Sequence, residues 1–145
     1  MAAAGMLLVM QRCHEELVRL GDKADAAESD PGAGLRARIL AQARWAENHP
    51  GLYKVLHENT VHRRLGKPFK EVMVQRTIES VQRCMDAGVA PADDATTVAI
   101  DLRTAVNGML SQRINEPDLP WPPAVEQLDR FLTKLVGIDH PATRG

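Results

Sequence analysis

The chain has 145 residues and a formal net charge of −1, with 44% apolar and 26% charged residues. That composition gives one globular domain with a real core and excludes a disordered chain. A near-neutral balance supplies no global positive field for coating nucleic acid or an anionic membrane.

Cys13 and Cys84 stand far apart in sequence. Two such thiols read as buried side chains in a reducing compartment, not as a disulfide framework. No apolar run reaches the ~18 residues of a membrane span. The apolar start, Met1 to Met10, lacks a basic leader region and a cleavage pattern. A signal peptide is therefore not expected, and the cytoplasm is the expected compartment.

In chain order, Met6, Met10, Cys13, Leu17 and Leu20 form one stripe of a long first helix. The polar, Ala/Asp/Gly-rich stretch from Gly21 to Gly34 is expected to break or fray it. Asp30 before Pro31 reads as a capping carboxylate followed by proline at the first helical position. Leu35, Ile39, Ala43 and Ala46 carry a second helix to His49, which Pro50 ends. A short third helix holds Leu52, Tyr53 and Leu56 and extends toward Val61.

After the break at Gly66 and Pro68, Val74, Ile78, Val81 and Met85 mark a helix that Gly88 closes. Asp93 or Asp94 caps the next helix, which runs to about Asn115 on a stripe of Val98, Leu102, Ala105, Val106 and Met109. Four prolines make Asn115 to Pro123 a stiff extended loop. A last helix from about Ala124 to Val136 places Val125, Leu128, Leu132 and Leu135 on one face, with Phe131 beside it. No segment alternates with period two, so the expectation is an all-α single domain of about six helices, residues 1–138, with a frayed tail at 139–145.

Catalytic patterns fail on spacing. His57-Glu58 is followed by His62 five residues on, which turns the second ring roughly 140° past one full turn and spoils a helical metal pair. Cys13 and His14 are adjacent, so their side chains diverge by about 100° on a helix. Ser29, Ser80 and Ser111 sit in no nucleophile elbow. Gly32-Ala33-Gly34 is too short for a phosphate cradle. No catalytic residue, metal or cofactor is expected. The cations Arg63, Arg64, Lys67 and Lys70 are expected to be a solvated surface at a helix end, complementing its dipole.

Binding fits better. Met10, His14, Trp45, His49, Tyr53 and Met73 interrupt the apolar stripes with polarisable or polar groups, as an apolar cavity with few polar contacts requires; each taken alone also suits a plain core. Gly108 in mid-helix costs about 1 kcal/mol against Ala, which close approach of another helix would explain.

The segment Trp45-Ala46-Glu47-Asn48-His49-Pro50-Gly51-Leu52-Tyr53-Lys54-Val55-Leu56 resembles the C-terminal domain of the TetR family of bacterial transcription regulators, in which a helix often ends at His-Pro-x-Leu-Tyr. Ala105-Val106-Asn107-Gly108-Met109-Leu110 is similar to that family's dimerisation helix, with Asn107 where His is frequent. Pro117-Asp118-Leu119-Pro120-Trp121-Pro122 and the closing helix follow in the same order. The resemblance covers about Met6 to Ile138.

It implies an effector-binding and dimerising regulatory domain, with the last two long helices forming a four-helix bundle between two copies. The family's helix-turn-helix head is not expected within this sequence, so DNA contact is expected to need a further domain. Leu7, Leu8 and Val9 lie off the first stripe, where such a head packs in the family; a second core contact is the other reading. Under this resemblance the expected lining for a small apolar or aromatic effector is Met10, His14, Leu17, Trp45, His49, Tyr53, Leu56, Met73, Thr77 and Leu102. The expected homodimer interface is Ala105, Val106, Gly108, Met109, Arg113, Val125, Leu128, Phe131 and Leu132. No membrane partner is expected. The rival expectation is a purely structural homo- or heterodimerisation module with a filled core.

Overall fold

The computed structural model of the chain describes residues 2–58 and 64–139. Val61, His62, Arg63 and the tail from residue 140 onward lie outside the described residues. Six α-helices are described: α1 (Ala2–Ala26), α2 (Pro31–Asn48), α3 (Pro50–His57), α4 (Lys67–Asp86), α5 (Ala95–Asn115) and α6 (Ala124–Phe131). A π-helical turn, Leu132–Val136, follows α6 without a break. Among the described residues there is no strand, and no helix is long and apolar enough to cross a membrane.

Two helix starts follow from side-chain capping. Asp30 accepts the Ala33 N–H at 2.8 Å, and Pro31 opens α2. Asp94, not Asp93, caps α5, accepting from Thr96 N–H at 3.1 Å and Thr97 Oγ1 at 2.7 Å. Gly88 takes φ +74 just beyond α4, where the Val89 N–H returns to the Cys84 carbonyl; that left-handed C′ position is where glycine ends a helix without a Cβ penalty.

α1 and α2 make the most extensive pairing, and α4 packs against both of them and against α5. Met10, Leu35, Ile39, Val81, Ala99 and Leu102 sit at the centre of one continuous core. The break expected within Gly21–Gly34 falls between Ala26 and Pro31, after α1 has run on into that stretch. Asp25 faces inward because it is paired: its Oδ2 accepts from Arg38 Nε at 2.9 Å, Ser80 Oγ at 2.8 Å and an Arg83 guanidinium N–H at 3.1 Å, while the half-buried Asp22 takes the other side of Arg38 at 2.8 Å. This polar knot ties α1, α2 and α4 together.

Two registers differ from the expected stripes. On α4 the buried residues are Met73, Thr77, Ser80, Val81 and Cys84, while Val74, Ile78 and Met85 are half-buried. Thr77 and Ser80 can turn inward because Thr77 Oγ1 donates to the Met73 carbonyl at 3.1 Å and Ser80 to Asp25. At the C-terminus the π turn carries one extra residue per hydrogen-bonded ring. Val136 therefore follows Leu128 and Leu132 into the core, and Leu135 is exposed. Arg36 reaches Asp129 at 2.7 Å and fastens α6 to α2.

Candidate functional site

A row of rings runs through the domain. Trp45 near the end of α2 stacks on His49 (centroids 4.9 Å), and Tyr53 on α3 tilts over His57 at 4.4 Å. His57 meets His14 of α1 edge-on at 6.5 Å, and His14 stacks on Phe69 of α4 at 6.1 Å. Pro50 creates this row: it stops α2 and starts α3 within one residue, so that Tyr53 and Leu56 turn into the core.

Three cavities adjoin the row. The innermost, about 30 Å³, is lined by Leu17, Ile39, Gln42, Trp45, Tyr53 and Met73, with His57, Arg103, Val106, Asn107 and Leu110 completing it. A wider outer cleft of about 380 Å³ shares Tyr53, His57, Arg103 and Asn107 with it and adds Glu58, Lys70, Gly108 and Ser111. The third is an open groove of about 630 Å³ between α1 and α4, walled by Val18, Phe69 and Val72, with His14 at its base and charges at its rim.

The polar groups of the inner cavity are unevenly satisfied. Tyr53 Oη donates to the Asn107 carbonyl at 3.1 Å, and burial pushes its hydroxyl pKa up. Trp45 Nε1 and Gln42 Nε2 are buried donors with no hydrogen-bond partner among the described residues. Arg103 is half-buried and has neither an ion pair nor a hydrogen bond to any described residue; desolvation lowers its pKa. Glu58 on the outer cleft is already engaged, accepting from Ser111 Oγ at 2.6 Å and Asn115 Nδ2 at 2.7 Å, bonds that hold its pKa down. His14 is fully buried with neither ring nitrogen bonded, and burial, with Lys70 and Arg103 nearby, lowers its pKa to about 4. It is neutral at pH 7.

Of the expected lining residues, Leu17, Trp45, Tyr53 and Met73 meet at the inner cavity and His14 stands at the groove. Met10, Leu56, Thr77 and Leu102 are buried in the core itself. His49 is exposed, because the backbone turns out of the helix there to meet Pro50; its Nδ1 lies 2.9 Å from the Trp45 carbonyl. The sequence reading missed Gln42, Arg103 and Asn107. One signal was available: Asp101, Arg103 and Arg113 are the only charged residues on α5, and Arg103 borders its apolar face. Lys67 and Lys70 also differ from expectation. They occupy the first turn of α4, the positive end of its dipole, instead of complementing a C-terminus.

The expected interface set divides in two. Val106, Met109, Leu128 and Leu132 are buried in the chain's own core, so they support the outer helices from behind. Arg113 is used internally: it donates to the Pro122 carbonyl and to Gln127 Oε1, and lies 5.2 Å from the centre of the Trp121 ring. Ala105, Gly108, Val125 and Phe131 keep accessible surface. Among the described residues no group of three or more His, Cys, Asp or Glu side chains could hold a metal ion.

The fold is that of a small all-helical domain with partly polar cavities between its helices. The family comparison is specific: residues 35–136, from α2 to the end of the π turn, match the tetracycline repressor-like C-terminal domain, and the chain belongs to that family. No curated protein and no solved structure matches at a significant level.

Proposed function

We propose that this chain is the regulatory domain of a TetR-like transcription regulator, pairing with a second copy and taking a small, mostly apolar effector at the inner cavity and outer cleft. The carrying observation is the pair of buried, unpartnered donors Trp45 Nε1 and Gln42 Nε2 on the inner wall. Buried donors without acceptors are costly, and a ligand that supplies acceptors removes the cost. Tyr53, His57, Arg103 and Asn107 border both the water-sized inner cavity and the outer cleft, so the two spaces are neighbours across these four side chains.

Leu17 brings α1 to the same wall, which gives an effector a route to the first helix. An effector shifts α1 only by binding one of its positions better than another. The exposed Leu7, Leu8 and Val9 are the proposed seat of a DNA-reading helix-turn-helix unit outside the described helices. Dimerisation is proposed through the accessible Ala105, Gly108, Val125 and Phe131.

The small inner cavity favours a second reading, a dimerisation module whose interior is plain core. A thermal-shift screen of small apolar and aromatic compounds, charged and neutral, separates the two. The regulatory reading predicts compounds that raise the melting temperature at sub-millimolar concentration. A screen in which none does so supports the module.

A further inference from the structure

The groups left without partners around the inner cavity and outer cleft share one property. Arg103, Trp45 Nε1 and Gln42 Nε2 are donors, and Arg103 also carries a charge. The carboxylate nearest to hand, Glu58, spends its bonds on Ser111 and Asn115. Lys70 lines the same cleft from the first turn of α4, where the helix dipole adds to its field. A half-buried guanidinium without a counter-charge is a seat for a carboxylate, which satisfies it with paired, charge-assisted hydrogen bonds. The wall behind Arg103, built from Leu17, Ile39 and Met73, is apolar and suits hydrocarbon.

We propose that the effector is a small organic monocarboxylate with an apolar body, its carboxylate seated on Arg103 and its body directed toward the apolar inner wall. This rests on reading the cleft as the effector site, and it adds the charge and polarity of the ligand to that reading. A single negative charge matches Arg103, and Glu58 at the rim disfavours a dianion.

The test is calorimetric titration of the full chain with benzoate, phenylacetate and hexanoate, each beside its neutral amide. The carboxylates are expected to bind about tenfold or more tightly than the amides, as loss of a charge-assisted pair implies. Arg103→Met is expected to erase that difference, and Arg103→Lys to retain part of it. Amides that bind as tightly as carboxylates, or a preference that survives Arg103→Met, would overturn the inference while leaving the effector-site reading intact. Failure of both classes to bind would remove the two together. If Arg103→Met does not fold, the comparison of acid with amide on the unaltered chain decides alone.

Discussion

Gly34 of α2 faces Asp25 of α1 so closely that a Cβ at Gly34 would overlap the Asp25 carboxylate. The carboxylate cannot step aside, because Arg38, Ser80 and Arg83 hold it. Gly34→Ala is therefore expected to destabilise the domain by about 1–3 kcal/mol, the usual cost of overpacking, despite alanine's better helix propensity. Gly51→Ala on exposed α3 meets open space and should be neutral or stabilising by up to about 1 kcal/mol. Urea denaturation of the two variants checks the contrast.

The same carboxylate supports a larger prediction. The Arg38 side chain is only 4% exposed, and Asp25 is its buried partner. Asp25→Ala leaves that guanidinium inside with Asp22 alone, which should cost about 3–5 kcal/mol. Arg83, half-exposed on the far side, should cost less than about 1 kcal/mol when changed to Ala. Equal losses for the two variants in urea denaturation would contradict this ranking.

His14 makes stability depend on pH. Its folded pKa is lowered to about 4, first by burial, then by Lys70 and Arg103; the unfolded value is about 6.5. Between those values the unfolded chain binds the extra proton, so stability rises with pH there. The contribution of neutral His14 is complete above pH 6.5 and is lost as pH falls toward 4. Melting temperatures measured from pH 7 to pH 4 should fall, and His14→Phe should flatten the slope.

Gly108 looks into open space, and a side chain there meets no neighbour within the chain. Gly108→Arg should leave the helical circular dichroism unchanged and convert a dimer to a monomer in light scattering. A variant that stays dimeric would place the interface elsewhere than around Ala105, Val125 and Phe131.

Capping made much of the fold legible in the sequence. Asp30-Pro31, His49-Pro50, Asp94 and Gly88 mark boundaries by local chemistry, and local chemistry is what a sequence carries directly. Polar residues that turn inward were not legible. Asp25 and Ser80 read as surface or loop until their distant partners are known, and this concealed both the length of α1 and the register of α4. The π turn hid Val136 behind Leu135 for a related reason, since periodicity assumes an unbroken α-helix. At the site, Trp45, Tyr53 and Met73 were visible as odd members of apolar stripes. Arg103 was not, because its isolation from every described carboxylate is a three-dimensional fact.

An effector that enters beside Trp45 changes the surroundings of that ring. Trp45 and Trp121 are the only tryptophans, and Trp121 lies on the proline-rich loop after α5. In a Trp121→Phe background, emission therefore reports the inner cavity alone. Titration with hexanoate and phenylacetate should give a saturable change in Trp45 emission, abolished by filling the cavity with Val106→Phe in a chain that still folds. Emission that stays flat to millimolar ligand would rule out an effector at this wall.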